Sequence, residues 1–357
     1  MLQQPFATQT TVRKVMIQVP ETSSAQSKSQ SPLVIRVVTE FVATLFAMFA
    51  IYTLYSLSTA MYGINVLMIA ISTGVAYAAA TIIASKISGG HLNPAVTVAS
   101  MLTGRTSYLA GLCYIVAQVL GAIAAAGLFV FILPQTQIVK DANWFAPVVN
   151  GFEDGSISAS QLKTVNASFG IITAFVVEVI AAALIIATAI SQTKDNGKTR
   201  SNYAVSMGLA YAAGTFMTYQ ITGAGLNPAR STGIAVFTIT RDLAVKPYTQ
   251  LWAFWIAPIF AAALVGFVTL LTKLLTASAN FEHNKSGYAH AKNAANATVE
   301  TQVATPIATP VETPVETPAE TQNYGDNSYN FAFSQANNAN NLQGDATNLS
   351  NFQEDYK

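Results

Sequence analysis

Two short stretches of the chain, residues 88–96 and 222–231, nearly repeat each other. Each carries glycines followed by Leu-Asn-Pro-Ala, and each lies between two long apolar segments. Asn93 and Asn227 are favourable N-cap residues, and the proline after each fits the first helical position, where its missing N–H costs nothing. The pattern predicts two short helices, from 94 to about 102 and from 228 to about 237. Because neither could cross a bilayer, the irregular backbone beside it must be buried in protein or line a wet cavity.

The chemistry of the paired asparagines suits a polar passage. Besides the carbonyl that caps the helix, each amide carries an NH₂ group that can donate to a passing water. A helix N-terminus contributes about half a positive charge, so two opposed N-termini would repel cations and orient water. Arg230, three residues after Asn227, adds a charge one turn into the second short helix, and a charge at membrane depth marks a pathway by default. The alternative is that the asparagines only cap helices, but two copies in matching positions favour the passage.

The rest of the chain has the composition of a polytopic membrane protein. Of its 357 residues, 52% are hydrophobic and 10% are charged, and the mean hydropathy is +0.39. A formal net charge of +1 gives no reason to expect nucleic-acid binding, and one cysteine excludes an intrachain disulfide. Apolar runs near the roughly 20 residues that a bilayer requires predict six spans, at about 33–57, 64–86, 107–133, 168–190, 203–221 and 249–274.

The two halves of this apolar region form an internal repeat. Glu40 in the first span precedes Asn93 by 53 residues, and Glu178 in the fourth precedes Asn227 by 49. Three spans per half make the second half enter from the opposite side, so the short helices should meet N-terminus to N-terminus. Lysines and arginines before the first span, beside the first motif and between spans four and five place these loops and both termini in the cytosol.

Because it carries these two motifs in matching positions of two membrane halves, the region of about 33–275 resembles the aquaporin (major intrinsic protein) family. The resemblance implies an all-α membrane protein with six transmembrane helices, two re-entrant half-helices and an inverted 3+3 repeat. It implies a passive channel, not an enzyme, that forms a homotetramer in the lipid bilayer and carries water and small neutral solutes. No cofactor, metal or nucleic acid is expected.

The resemblance also assigns roles to individual residues. The pore motifs are Asn93, Pro94, Ala95, Asn227, Pro228 and Ala229; the pore carbonyls are those of Gly89, Gly90, His91, Gly223 and Gly225. The selectivity filter is Thr73, Thr215, Ala224 and Arg230, and the loops are supported by Glu40 and Glu178. His91 is more readily a brace for its loop than a ligand.

The domain boundaries follow from changes in composition. Residues 1–32 are polar and are predicted to form a disordered cytosolic arm. The channel domain covers 33–275, with repeat halves of about 33–133 and 168–275. The tail, 276–357, is rich in Thr-Pro pairs and then in asparagine, and is predicted to be disordered and cytosolic because it cannot bury enough apolar surface.

The selectivity filter departs from the pattern of strict water channels, which usually carry an aromatic residue and a histidine where this chain has Thr73 and Thr215. Two small hydroxyl side chains predict a wider aperture that would admit slightly larger neutral solutes. Against this, three positions that distinguish glycerol facilitators are of the water type, namely Ser231, Ala235 and Phe254-Trp255. We therefore expect a water channel that excludes ions and protons. A glycerol or urea facilitator is the alternative, and a poorly conducting adhesion or scaffolding protein is a second alternative.

Two loops carry further predictions. The loop 192–202 is polar and basic, and it is either a gate over the inner mouth or an ordinary solvated connector. The candidate gate residues are Lys194, Lys198, Arg200 and Ser201. Asn166 begins a glycosylation sequon in the predicted outer loop. The expected location is the plasma membrane or an internal membrane of the vacuole type.

Overall fold

Helices account for nearly all the regular structure in a computed structural model that describes residues 31–134 and 140–303. In chain order the helices are α1 (Leu33–Tyr62), α2 (Val66–Ala84), α3 (Pro94–Leu102), α4 (Tyr108–Ile132), α5 (Asp141–Phe145), α6 (Ala159–Lys163), α7 (Ile171–Ser191), α8 (Tyr203–Thr222), α9 (Pro228–Val236), α10 (Pro247–Gln250) and α11 (Ala253–Val303). The predicted terminal segments at 1–30 and 304–357 lie outside the described residues.

Six long helices, α1, α2, α4, α7, α8 and α11, overlap the six predicted spans. Five stretches of the described chain are long and apolar enough to cross a membrane, namely Leu33–Tyr62, Val66–Ala84, Tyr108–Ile132, Ile171–Ser191 and Pro247–Phe281. The sixth, α8, is 20 residues long but less apolar, because it carries buried tyrosines and threonines such as Tyr211 and Thr215. These side chains are buried inside the protein instead of facing lipid, and a hydroxyl such as that of Tyr211 finds a hydrogen-bond partner there.

The two short helices, α3 and α9, are half-helices. Each contains nine residues and begins at the proline of its motif, as predicted. At 1.5 Å per residue each is about 14 Å long, roughly half the thickness of the hydrocarbon core. With six long helices around them, they give the all-α, aquaporin-like fold that the sequence predicts.

Helices α2 and α8 are in direct backbone contact. A Cβ added to Gly74 would lie 2.6 Å from the carbonyl oxygen of Gly208, and one added to Gly208 would lie 2.7 Å from the carbonyl oxygen of Gly74. Gly74 also faces Ala212, and Gly208 faces Ala78, so the two helices run antiparallel. Small residues that let backbones approach this closely are typical of helix pairs in membranes.

The outward faces of the long helices carry large apolar side chains. Phe131 is 84% exposed, Ile172 is 78% exposed and Leu209 is 68% exposed. Exposed apolar surface of this extent suits a hydrocarbon solvent, in which the helices satisfy their own backbone hydrogen bonds.

The last helix differs from the expectation at its C-terminal end. The channel domain is predicted to end at 275, with a disordered tail from 276, whereas α11 continues to Val303. The extension, 276–303, contains alanines at 277, 279, 289, 291, 294, 295 and 297. Alanine has the highest helix propensity, and a helix that is already formed propagates without a new nucleation cost. The chain divides into two compact units after residue 290, and the described part of the second unit, 291–303, is the end of this helix.

Candidate functional site

The two half-helices are capped by the asparagines of their motifs. The side-chain carbonyl of Asn93 accepts a hydrogen bond from the backbone N–H of Ala95 at 2.8 Å. That of Asn227 accepts one from the N–H of Ala229 at 2.9 Å. Both asparagines have extended backbone angles, as an N-cap requires. The carbonyl of each amide is therefore committed to its own helix, and the NH₂ group remains for other partners.

The NH₂ groups cross between the two halves of the chain. Asn93 Nδ2 donates to the carbonyl oxygen of Leu226 at 3.0 Å, and Asn227 Nδ2 donates to that of Leu92 at 2.7 Å. Leu92 and Leu226 have φ angles of 52° and 57°, in a region that leucine rarely adopts. Each leucine precedes a motif asparagine in this left-handed conformation, and its carbonyl oxygen accepts the hydrogen bond from the opposite half. The N-termini of α3 and α9 therefore meet, as the inverted repeat predicts.

A buried carboxylate holds each re-entrant loop. Both oxygens of Glu40 are used: Oε1 accepts from Ser88 Oγ at 2.6 Å and from the His91 N–H at 3.0 Å. Oε2 accepts from the Leu92 N–H and from Gln118 Nε2, both at 2.8 Å. The Glu40 carboxylate is buried away from water, and these backbone and side-chain donors replace its hydration.

Glu178 makes the equivalent contacts in the second half. Its Oε1 accepts from Thr222 Oγ1 at 2.5 Å and from the Gly225 N–H at 2.8 Å, and its Oε2 accepts from the Leu226 N–H at 2.7 Å. Both carboxylates thus bond the backbone immediately before an Asn-Pro-Ala motif. They fix the path of the chain into the half-helix.

Arg230 lies one turn into α9 and is only 2% exposed. Its Nη2 donates to the carbonyl oxygens of Val148 at 3.1 Å and Gly223 at 2.9 Å, and its Nη1 donates to Asn150 Oδ1. The guanidinium carbon lies 5.2 Å from the ring centre of Tyr55. These hydrogen-bond partners are neutral, so they hold the guanidinium in place without supplying a compensating negative charge.

Asn150 is a site residue that sequence reasoning missed. Its Oδ1 also accepts from Ser231 Oγ at 2.8 Å, and its Nδ2 donates to the carbonyl of Gly223 at 2.9 Å. It lies in the long connection between the two repeats, where no local pattern marks it. Only its position beside Arg230 in the folded chain reveals it.

A pair of stacked tyrosines, Tyr77 on α2 and Tyr211 on α8, was also missed. Their ring centres are 3.3 Å apart and their planes differ by 2°. Asn227 Nδ2 donates to the Tyr77 hydroxyl and Asn93 Nδ2 to the Tyr211 hydroxyl, each at 2.9 Å. We call these two residues the central pair. The sequence did carry a signal, because each tyrosine stands in a Gly-x-Ala-Tyr-Ala-Ala segment sixteen residues before an Asn of the motifs.

The predicted filter positions lie one turn from the central pair. Thr73 precedes Tyr77 by four residues on α2, and Thr215 follows Tyr211 by four on the antiparallel α8, so both threonines lie on the same side of the pair. The Thr73 hydroxyl bonds Tyr55 OH at 2.7 Å, and Tyr55 also lies against the Arg230 guanidinium.

Two polar atoms of the predicted filter residues are buried without a hydrogen-bond partner in the described part of the chain, namely Thr215 Oγ1 and Arg230 Nε. Ala224 is buried with a φ of 55°, next to the Gly223 carbonyl that Arg230 contacts. The described contacts therefore connect Thr73 to Arg230 through Tyr55. Ala224 neighbours Gly223, whose carbonyl Arg230 contacts, and the antiparallel register places Thr215 on the same side as Thr73.

The backbone at the predicted pore carbonyls is irregular, with φ angles of 102° at Gly89, 63° at Gly90 and 73° at Gly223. Three of the predicted carbonyls already accept a hydrogen bond from the protein. That of Gly90 accepts from Tyr203 OH at 3.3 Å, that of Gly223 from Asn150 and Arg230, and that of Gly225 from the Asn227 N–H at 2.5 Å. A carbonyl oxygen has two lone pairs, so those of Gly90 and Gly225 each keep one for another donor, whereas that of Gly223 already accepts two hydrogen bonds. The His91 ring bonds Thr97 Oγ1 at 3.1 Å, which makes it a brace within its loop.

The loop 192–202 forms a small hairpin with an isolated bridge between Thr193 and Thr199. Thr199 Oγ1 donates to the carbonyl of Ser85 at the end of α2, and Arg105 Nε donates to the carbonyl of Thr193. The four predicted gate residues, Lys194, Lys198, Arg200 and Ser201, are all exposed.

Asp195 at the tip of this hairpin forms ion pairs with Lys273 at 2.5 Å and Arg105 at 3.6 Å. The Lys273 ammonium, bonded to this carboxyl, holds the pKa of Asp195 below its usual range, and Arg105 adds to the effect. Asn166, the predicted glycosylation site, is exposed with a φ of 54° in the connection between α6 and α7.

The family model described as Major intrinsic protein matches residues 27–269, which is most of the chain. The chain belongs to the major intrinsic protein family. It is 33% identical to the lens fiber major intrinsic protein of Ovis aries over 229 residues, covering 63% of this chain and 76% of that one. It is 32% identical to aquaporin Z of Rhodopseudomonas palustris over 207 residues, covering 58% and 79%.

Among solved structures, the aquaglyceroporin from Plasmodium falciparum aligns with a TM-score of 0.49 at 18% identity, covering 66% of this chain and 94% of that one. Membership of the major intrinsic protein family identifies the chain as a transmembrane channel of aquaporin type. The members of this family are channels, not enzymes, and they pass water or small neutral solutes across membranes.

Proposed function

We propose that this chain is a passive water channel that excludes ions and protons. The observation that carries the proposal is the meeting of two Asn-capped half-helices, with the buried Arg230 one turn beyond. In this proposal the two Asn-Pro-Ala motifs form the centre of the pore. Thr73, Thr215, Ala224 and Arg230 form its outer constriction.

Exclusion of cations follows from the charges at these two levels. A cation about 5 Å from the guanidinium of Arg230, at an effective dielectric constant of about 20, meets a repulsion of about 3 kcal/mol. That is a reduction of about a hundredfold in occupancy. The two half-helix N-termini add about half a charge each at the centre.

Two buried atoms, Thr215 Oγ1 and Arg230 Nε, have no hydrogen-bond partner in the described part of the chain. They support the proposal that the permeating solute forms hydrogen bonds. Buried polar groups in proteins nearly always have a partner, and a water molecule or a small hydroxylated solute passing between them would supply it. The carbonyls of Gly89, Gly90, His91, Gly223 and Gly225 would continue the acceptors along the pore.

The two threonines at the constriction favour a second candidate, a channel that also passes glycerol or urea. Water remains the first choice, because Ser231 takes the position where glycerol facilitators usually carry Asp, and it donates to Asn150, which in turn holds Arg230. An adhesion or scaffolding protein that conducts poorly is the third candidate.

The remaining features belong to the same proposal. We infer a homotetramer in a lipid bilayer with both termini cytosolic, a channel domain at 33–275, and glycosylation at Asn166. We also infer that the hairpin 192–202 regulates access at the inner mouth. Its ties to Ser85, Arg105 and Lys273 connect it to three separate elements, as a regulatory loop would require.

Vesicles that contain the purified protein would test this function. We expect them to shrink in a sucrose gradient much faster than empty vesicles in stopped-flow light scattering, with slower responses to glycerol and urea gradients. Arg230→Ala should keep water flux and raise the flux of urea and of cations. Lys163→Ala, an exposed cation outside the site, is the matched control and should leave all fluxes unchanged.

The three candidates predict different outcomes. Equal rates for water and glycerol would favour the facilitator. Vesicles with no more flux than empty ones for every solute would favour the adhesion protein. An Arg230→Ala variant with unchanged cation flux would contradict the charge barrier.

A further inference from the structure

The central pair lies between the two amides that mark the middle of the passage. Tyr77 and Tyr211 are each only 1% exposed, and each hydroxyl accepts from the asparagine of the opposite half. We propose that Tyr77 and Tyr211 form a central gate that closes the passage in this conformation and sets the rate of conduction. The proposal deepens the proposed channel function and depends on it.

The two rings leave no space for a water molecule between them. The rings are parallel within 2° and their centres are 3.3 Å apart, which is van der Waals contact. A water molecule, about 2.8 Å across, cannot enter between surfaces that already touch. The passage between the rings therefore requires at least one ring to move away.

The amide donors that a passing water would use are already engaged in this conformation. An amide NH₂ group has two hydrogens. Those of Asn93 go to the Leu226 carbonyl and the Tyr211 hydroxyl. Those of Asn227 go to the Leu92 carbonyl and the Tyr77 hydroxyl. The tyrosine oxygens thus occupy the positions that water oxygens would take, and water binds only after a tyrosine leaves.

The contact between α2 and α8 positions the central pair. Gly74 and Gly208, three residues before the tyrosines, bring the backbones of α2 and α8 into contact. Each ring is therefore carried on a helix that cannot approach its partner more closely. A parallel sandwich is not the preferred arrangement of two aromatic rings. The closed state accordingly depends on the two amide hydrogen bonds, and it opens when one ring leaves the stack.

The gate predicts an order of permeabilities among substitutions. Removing one hydroxyl removes one hydrogen bond to the amide, which changes the ratio of closed to open states about fivefold. Tyr77→Phe and Tyr211→Phe should therefore each raise the water permeability per protein, by up to that factor. The double variant Tyr77→Val/Tyr211→Val removes both rings and should exceed either single variant. Its activation energy for water flux should fall toward that of free diffusion.

The experiment is stopped-flow water permeability of vesicles with equal, quantified amounts of each protein. Tyr219→Phe is the matched control. It is a buried tyrosine of α8 whose hydroxyl donates to the Pro147 carbonyl at 2.9 Å, outside the central pair. It should leave the permeability unchanged, which separates the gate from a general effect of losing a buried hydroxyl. The Phe variants keep the packing of the rings, so they test the gate even where the Val variant does not fold.

The outcomes separate the gate from the channel. Higher flux in the Phe and Val variants than in the wild type supports both. Equal flux in the wild type and in all these variants, well above empty vesicles, would overturn the gate and leave the channel function standing. Flux no higher than that of empty vesicles in the wild type and in the folded variants would overturn the channel function itself, and the gate with it.

Discussion

The contact between α2 and α8 predicts that replacing Gly208 with alanine destabilises the protein. The new Cβ would lie 2.7 Å from the carbonyl oxygen of Gly74 and 2.8 Å from the Cβ of Ala78. Neither atom is the far end of a flexible side chain, so the helices themselves must separate. The reciprocal change, Gly74→Ala, places a Cβ 2.6 Å from the Gly208 carbonyl oxygen and should act in the same direction.

The magnitude follows from these distances. Ordinary contact between heavy atoms begins near 3.5 Å, so the helices must move apart by about 0.8 Å. Overpacking of this kind costs about 1–3 kcal/mol, with the upper part of the range expected against a backbone oxygen. Alanine has a better helix propensity than glycine by about 1 kcal/mol. The net loss should be about 1–2 kcal/mol for each single variant. The double variant should lose less than the sum, because one separation accommodates both methyl groups.

The assay is thermal unfolding of the purified protein in detergent, followed by near-UV circular dichroism. Gly170→Ala is the matched control, because an added Cβ there meets nothing within 4 Å and φ is −70°. It should lower the unfolding midpoint only slightly, because Gly170 is the N-cap of α7, a position where alanine is less favourable than glycine. A Gly208→Ala variant as stable as Gly170→Ala would refute the close helix contact, and with it the argument that this contact positions the central pair.

Three further predictions concern the loops and the constriction. Glu178→Gln must turn its NH₂ group toward at least one backbone donor, such as the N–H of Leu226. Leaving that donor unpaired should lower the stability by about 1–3 kcal/mol in the same unfolding assay. An unfolding midpoint no lower than that of Glu153→Gln, a control at an exposed site, would contradict this prediction. The pKa of Asp195 is lowered by Lys273, so its ion pair is present above its ordinary pKa of about 4 and is lost only as pH falls through the lower folded value. Water flux through the wild type should therefore be the same at pH 7 and at about pH 5, and Asp195→Asn should change the flux equally at both pH values. If the wild-type flux equalled that of Asp195→Asn at about pH 5 but not at pH 7, the pKa of Asp195 would be raised instead of lowered. Thr215→His should narrow the constriction and lower glycerol flux more than water flux, and equal loss of both would exclude Thr215 from the constriction.

Local chemistry in the sequence was enough to predict both half-helices. Asn93 and Asn227 cap them, and each proline fits the first helical position, so the starts at Pro94 and Pro228 depend on neighbouring residues only. The spans follow from apolar runs, which depend on composition. Glu40 and Glu178 stand at matching points of the repeat, and each bonds the loop of its own half.

The missed residues depend on contacts between distant parts of the chain. Asn150 has no local feature that marks it, and it reaches Arg230 only because the connection between the repeats folds back over α9. Tyr77 and Tyr211 look like ordinary members of apolar spans, and their stacking is a product of the antiparallel helix contact. Helix α11 continues past the predicted end of the channel domain at 275 for another reason, since the alanines of 276–303 allow an existing helix to continue although the composition favours disorder.

The exchange of amide donors has an evolutionary consequence. Asn93 finds both its acceptors in the second half, and Asn227 finds both of its own in the first, so neither half is chemically complete. An ancestor with one half would have needed a second copy inserted upside down, as a dual-topology dimer. Within one chain, the two halves need not be identical. Arg230 then has only Val96 as its counterpart in the other repeat, and a symmetric dimer could not have carried a charge on one face alone.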